Sequence, residues 1–261
     1  MTKKIVWITG ASSGIGEALA KEYLLHGHMV ILSARNLEKL ESIKTNSKCP
    51  ENIFVLPLDL IDIDSFSGKV QKAISAFGKI DVLINNGGIS QRSLAAETDL
   101  SVDRKIMDVN FFGTIALSKE LLPHFIGNKS GHFGVVSSLV GKFGSPYRSA
   151  YAASKHALHG FFDSLRAEHF KDNIGVTMIC PGFIKTNVSI NALTGNGSPL
   201  KEMDDAQAKG MPAEACARQI YKAIESRKEE ILIGGKEKFA VYLKRLFPAV
   251  FSRILRKAKV R

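Results

Sequence analysis

Seven short apolar runs recur along the chain, separated by stretches with helical spacing, and this alternation leaves few folds open. The runs are IVWIT (5–9), MVILS (29–33), NIFVLPL (52–58), IDVLIN (80–85), HFGVVSS (132–138), IGVTMIC (174–180) and EEILIG (229–234). Short runs that are apolar nearly throughout read as strands buried on both faces. Between them, Glu17 to His26, Leu37 to Lys44, Phe66 to Phe77, Val102 to Ile126, Ala150 to Phe170 and Pro212 to Ser226 carry apolar residues at helical intervals. Strand and helix in alternation predict an α/β fold, with a seven-stranded parallel sheet covered by helices on both faces and wound in two directions. Thr186 to Gly210 breaks the pattern; it is rich in Asn, Gly, Ser and Asp and reads as a functional loop.

Composition agrees with one large domain. The 261 residues are 45% apolar, and no Pro/Ser-rich linker or charge block divides them. No run of eighteen apolar residues could span a bilayer, and MTKKIVWITG goes straight into a strand without the pattern of a signal peptide. Cys49, Cys180 and Cys216 are odd in number and widely spaced, which suits free thiols in a reducing cytoplasm. The net charge is +11, but nine basic residues and one acidic residue lie between Lys236 and Arg261, so the preceding 235 residues carry only +3. With no helix-turn-helix or aromatic RNA-binding signature, nucleic acid is not an expected partner.

The first strand runs into TGASSGIGEALA, so Gly10, Gly14 and Gly16 fall where strand turns into helix. Glycine permits the sharp turn and lets backbone N–H groups, here those of Ser12, Ser13 and Ile15, approach a pyrophosphate at a helix N-terminus. This is the Rossmann arrangement; a plain helix capped by Ser12 or Ser13 is the alternative. The second strand ends in Ala34 and Arg35, where an NAD site would carry a carboxylate; a guanidinium there can hold the 2′-phosphate of NADP(H). Asp59 and Leu60 follow the third strand, and Asn86 and Gly87 lie in the NNGG turn after the fourth. All sit at carboxyl ends of strands, where open α/β sheets bind ligands.

Ser137 and Ser138 close the fifth strand, and YAASK puts Tyr151 one helical turn before Lys155. Taken together, TGASSGIG, NNGG, Asn110 in VNFFG, Ser138, YAASK and PGFIKT resemble the short-chain dehydrogenase/reductase family, over Lys3 to about Gly235. NNGG in place of NNAG, followed by ISQRS, resembles a subset of carbonyl, steroid and retinoid reductases; the extra freedom of Gly87 should spare the turn. The resemblance implies a catalytic set of Asn110, Ser138, Tyr151 and Lys155. Lys155 would also bond the nicotinamide ribose, Ser138 would hold the substrate oxygen, and Asn110 would position a water leading to Lys155. In PGFIKT, the backbone of Pro181, Gly182 and Ile184 and the side chain of Thr186 would hold the nicotinamide carboxamide. The chemistry fits these residue types: a phenol ordinarily titrates near pH 10, and a nearby ammonium lowers that value toward a usable one. Tyr147 lacks a lysine four residues on and is expected to line the pocket or pack.

Residues 1–235 are thus expected to form the dinucleotide-binding and catalytic domain, with a substrate loop at about 186–211, and 236–261 a basic amphipathic tail. Apolar residues at 239, 243, 246, 250 and 254 predict helix, with a break near Phe247 and a second helix starting at Pro248. Such a face suits anionic lipid headgroups, peripheral to a membrane, and equally suits packing on the body or a partner subunit. The resemblance implies a homodimer or homotetramer built through the helices bearing Asn110 and Tyr151. Seven scattered histidines offer no converging ligands, so no metal is expected. The expected activity is an NADP(H)-dependent carbonyl reductase or alcohol dehydrogenase acting on a lipophilic ketone, aldehyde or secondary alcohol. Reduction of 3-oxoacyl groups on an acidic acyl carrier and non-catalytic dinucleotide sensing are the alternatives.

Overall fold

A computed structural model describes residues 3–258; the first two residues and the last three of the basic tail lie outside it. The chain runs β1 (Ile5–Thr9), α1 (Gly14–Leu25), β2 (Met29–Ser33), α2 (Leu37–Thr45), β3 (Ile53–Val55), α3 (Phe66–Phe77) and β4 (Val82–Asn85). It continues through α4 (Leu100–Met107), α5 (Gly113–Gly127), β5 (Gly131–Val136), α6 (Ser149–Glu168), β6 (Ile174–Pro181), β7 (Ile184–Lys185), α7 (Asp205–Ala208) and β8 (Met211–Pro212). It ends with α8 (Ala213–Glu225), β9 (Glu230–Ile233), α9 (Phe239–Leu246) and α10 (Pro248–Leu255).

Seven strands form one sheet in the order β3-β2-β1-β4-β5-β6-β9, and every pairing is parallel. Alternation along β1 shows why helices are needed on both faces. Ile5 and Trp7 join a core with α3, α5 and α6, whereas Val6 and Ile8 join a second core with α1, α2 and α8. The buried Trp7 indole donates to Ser33 Oγ at 2.8 Å, so its one polar atom is satisfied inside the first core. The fold is the expected doubly wound Rossmann sheet. Its strand order reverses beside β1, which opens a crevice between β1 and β4 at their carboxyl ends.

The expected helix from Val102 to Ile126 is α4 and α5 joined through a wide π-helical turn over Asp108–Phe112, which contains Asn110. An extra residue in one helical turn leaves no mark on a coarse apolar pattern, and such turns are frequent at functional sites. The irregular stretch from Thr186 to Gly210 contains α7 and is bracketed by the short β7–β8 pair. In the tail, Phe247 interrupts and Pro248 opens α10, as expected. Phe251 packs edge-on against Phe143 at 5.1 Å and is buried with Leu139 and Cys180. All three cysteines are free thiols. Among the described residues, no helix is long and apolar enough to cross a membrane.

Candidate active site

The carboxyl ends of β1, β2, β4, β5 and β6 surround a cavity of about 820 Å³. At its floor, Gly10 and Gly14 adopt φ of +64° and +57°, a region costly for any residue with a Cβ. Ser12, Ser13, Gly14 and Ile15 line the cavity there. Ser13 occupies the N-cap position of α1, one of the two positions expected for a plain cap, but its side chain makes no capping bond. The first N–H groups of α1 therefore have no side-chain acceptor from the cap and face a cavity, which is the donor set an anionic pyrophosphate requires. Gly16 does not line the cavity. A Cβ there would run into the Gly10 carbonyl and the Asn86 amide, so Gly16 is small in order to seat α1 against the turn.

The NNGG turn braces this floor. Asn86 Nδ2 donates to the carbonyls of Thr9 (3.0 Å) and Gly10 (3.2 Å), and Thr9 Oγ1 accepts from the amides of Asn86 and Gly87, each at 3.0 Å. A Cβ on Gly87 would come 2.9 Å from the flexible end of Leu60, so alanine would fit with a small shift. Arg35 is exposed at the rim beside Ala34, and Asp59 and Leu60 line the same wall. Asp59 Oδ1 accepts from the Ile61 amide at 3.2 Å and thereby shapes the turn after β3.

Ser138, Tyr151 and Lys155 meet on the opposite wall. Lys155 Nζ lies 5.8 Å from the centre of the Tyr151 ring and donates to the Val136 carbonyl at 2.8 Å. Burial pushes the Lys155 ammonium down to about 8. Burial also holds the Tyr151 phenol above its ordinary value; the Arg92 charge, a hydrogen bond from Ser138 and the Arg148 charge pull it back. Two arginines, not anticipated in the sequence, are thus the cations that favour the phenolate here. The Pro181 carbonyl, 3.3 Å from Ser138 Oγ, is the alternative acceptor for that single hydroxyl proton and links the end of β5 to the PGFIKT turn. Below, Ser137 Oγ donates to the Lys155 carbonyl at 3.1 Å and meets His159 Nε2 at the same distance.

Asn110 is fully buried and does not line the cavity. Its amide donates to the Ile89 carbonyl (2.9 Å) and Ser154 Oγ (3.0 Å), and its oxygen accepts from the Ile89 amide (2.8 Å). The wide turn rotates this side chain toward the strand end after β4, where it ties that segment to the residue preceding Lys155.

Pro181, Gly182, Ile184 and Thr186 line the cavity. Thr186 leans over the glycine turn, its methyl 3.0 Å from where a Cβ on Gly14 would stand. Gln207 Nε2 donates to the Ile184 carbonyl and, at 3.3 Å, to Thr186 Oγ1, so α7 holds the PGFIKT segment in place. Tyr147 does not line the cavity; its φ is +64° and its carbonyl accepts from the Ser93 amide at 3.2 Å. The lining also includes Arg92 and Arg148 and the apolar Leu139, Val140, Phe143, Phe251 and Leu255. Neither group was singled out in the sequence, because polar loop residues and a remote tail give no local sign of a shared cavity.

Residues 4–196 match the family model described as short chain dehydrogenase. The chain is 46% identical over 261 residues to a dehydrogenase/reductase SDR family protein 7-like of Anopheles gambiae, covering 97% of this chain and 82% of that one. It is 40% identical over 257 residues to dehydrogenase/reductase SDR family member 7B of Mus musculus, covering 96% and 80%. Among solved structures, ElxO with NADP bound is 28% identical with a TM-score of 0.75, covering 89% of this chain and 97% of that one. A short chain dehydrogenase/reductase from Burkholderia phymatum in complex with NAD shares the fold at 20% identity, with a TM-score of 0.82 and coverage of 99% and 96%. The chain belongs to the short-chain dehydrogenase/reductase family of nicotinamide-dependent oxidoreductases.

Proposed function

We propose that the protein interconverts a carbonyl and an alcohol with NADP(H), using Tyr151 as general acid in reduction and general base in oxidation. The observation that carries this reading is the meeting of Ser138, Tyr151 and Lys155 on one wall of a cavity floored by the glycine turn. A bound nicotinamide supplies or takes up the hydride. Tyr151 delivers the proton to the carbonyl oxygen, Ser138 orients that oxygen, and Lys155 holds the nicotinamide ribose beside them. Asn110 acts as a positioning residue through Ile89 and Ser154. Gly10, Ser12, Ser13, Gly14 and Ile15 would hold the pyrophosphate, and residues 186–211 would close over the substrate.

Arg35 supports NADP(H) over NAD(H). It stands at the end of β2, lines the cavity, and can give a 2′-phosphate paired, charge-assisted donors. Reductase assays with NADPH and NADH on aldehydes, ketones and 3-oxoacyl carrier thioesters test this. NADPH should win by at least about tenfold in kcat/KM, and Arg35→Ser should erase the difference, as loss of a charge-assisted pair predicts. An NADH preference in the parent protein would reverse the cofactor assignment.

The tail favours a lipophilic substrate and contact with an anionic membrane. Phe251 packs inward, yet Phe239, Tyr242, Leu246, Phe247, Val250 and Ile254 are exposed, among seven basic residues and one acidic residue from 236 to 258. Flotation with phosphatidylserine vesicles should recover the protein, and Leu246→Glu with Phe247→Glu should abolish recovery. Equal recovery of both proteins would remove the membrane from the reading. Self-association as a homodimer or homotetramer is proposed through α4, α5 and α6, where the exposed Phe112 meets Phe111, which in turn meets Phe161 of α6.

A further inference from the structure

Two kinds of lining meet around Tyr151. Ser138, which bonds the phenol, leads into the apolar Leu139, Val140 and Phe143, backed by Phe251. The other kind is cationic. Among the described residues, three side chains on the cavity wall are both charged and buried: Arg92, Arg148 and Lys155, at 4%, 5% and 4% exposure.

The carboxylate that joins the two guanidiniums stands behind that wall. Arg92 Nη2 lies 2.7 Å and Arg148 Nη2 3.2 Å from the same oxygen, Oδ2 of Asp204, which is itself outside the cavity lining. Arg92 Nη1 also donates to Ser90 Oγ and to the Gln91 carbonyl, each at 2.7 Å, and Arg148 Nη1 donates to Ser145 Oγ at 3.2 Å. These bonds fix both groups rigidly. They bring together the turn after β4, the start of α6 and the end of the loop before α7, segments far apart in sequence.

Burying a guanidinium is costly, and an apolar residue of similar volume would line a neutral ketone pocket without that cost. Two guanidiniums share one carboxylate, so the cluster carries a formal net charge of +1; burial and then the Arg92 charge push the Arg148 guanidinium down to about 10, against the pull of Asp204 and Tyr151. An anionic group arriving from the cavity side would meet preorganised cations in a site of low dielectric, where such contacts are strongest.

We propose that Arg92 and Arg148 form an anion subsite, and that the substrate is a carbonyl or alcohol carrying a carboxylate or phosphate, with its apolar part against Phe143 and Phe251. This deepens the oxidoreductase reading above and rests on it for the reacting carbon. The subsite sets specificity; the proton transfer remains with Tyr151.

The test pairs ketones that share a carbon skeleton and differ at the terminal anionic group. One arm compares 5-oxodecanoate with its methyl ester, and the other compares 5-oxodecyl phosphate with 1-hydroxy-5-decanone. The charged member of at least one pair should have a kcat/KM about ten- to a hundredfold higher, the range for a charge-assisted hydrogen bond; the arm with the larger ratio identifies the anion. Arg148→Met should collapse that ratio, and Arg148→Lys should keep most of it. Neutral members turned over as well as charged ones, or a ratio unmoved by Arg148→Met, would overturn the subsite while leaving the oxidoreductase reading intact. A calorimetric arm stands apart from turnover: decanoate and decyl phosphate, against decanol, are titrated into the parent protein saturated with oxidised dinucleotide. Tighter binding of at least one anion is expected, and equal binding of all three would overturn the subsite. No turnover of any ketone, with anion binding retained, would instead fault the oxidoreductase reading.

Discussion

Lys155 reaches back from α6 to the last residue of β5, donating to the Val136 carbonyl at 2.8 Å. The strand that leads into Ser138 therefore also fixes the ammonium beneath Tyr151. The proposed proton donor, the proposed oxygen-orienting hydroxyl and the ammonium share one rigid support, so single substitutions in it should separate chemistry from folding.

Tyr151→Phe removes the proposed proton donor and leaves the ring. Turnover should fall by roughly 10²–10⁴, the usual range for loss of a positioned acid or base. Dinucleotide affinity, followed by the fluorescence of the reduced nicotinamide, should stay within about threefold. A variant as active as the parent would return the protein to the non-catalytic, dinucleotide-sensing reading.

Lys155 makes stability depend on pH in a stated direction. Its ordinary value of 10.5 applies to the unfolded chain, and burial lowers it to about 8 in the fold. Below pH 8 folding must bury an ammonium; from pH 8 to 10.5 the folded state sheds the proton first, so stability rises with pH across that window. The difference amounts to about 3 kcal/mol at 1.36 kcal/mol per unit. Urea unfolding of the parent and Lys155→Met should show the parent gaining on the variant between pH 8 and 10.5. A constant difference would contradict the burial of a charged lysine.

Gly16 and Gly68 should answer oppositely to alanine. At Gly16 a Cβ would strike the Gly10 carbonyl, whereas at Gly68, inside α3, nothing lies within 4 Å. Gly16→Ala should lower stability by about 2 kcal/mol or more and weaken dinucleotide binding, because backbone must shift. Gly68→Ala should raise stability by about 0.5–1 kcal/mol through helix propensity. Thermal denaturation of the two variants checks both signs.

The tail offers a similar contrast within five residues. Phe251 is 5% exposed against Phe143, and Phe247 is 59% exposed. Phe251→Ala should cost about 3 kcal/mol, as a buried aromatic does, and Phe247→Ala no more than about 0.5 kcal/mol. Equal melting temperatures for the two variants would mean that the tail does not hold its packed position in solution.

These contrasts show where the sequence was legible. Strands such as Ile5–Thr9 and helices such as Phe66–Phe77 declare themselves because burial on a regular element imposes a period on neighbouring residues. The glycine turn and the Tyr151–Lys155 pair are equally local, as was the Phe247–Pro248 break. Gly16 and Asn110 were recognisable as motif members, but their part is to brace the site from behind, which spacing alone does not reveal. Arg92 and Arg148 were unreadable for a different reason. Each sits in a polar loop, and only the return of Asp204, 112 positions after Arg92 and 56 after Arg148, turns them into a buried pair.

The wide turn over Asp108–Phe112 has a consequence of its own for how the long helix evolves. One surplus residue offsets the two halves by about 100° of rotation, the increment of a single helical position. Leu117, Leu121 and Phe125 of α5 answer to the sheet, whereas Val102 and Ile106 of α4 answer to Ala150 and Leu193 beside the site. The two halves are phased separately, so substitutions that tune the loop side of α4 need not disturb the sheet. Deleting any one residue of the turn would bring them into a common phase and swing one half away from its partners.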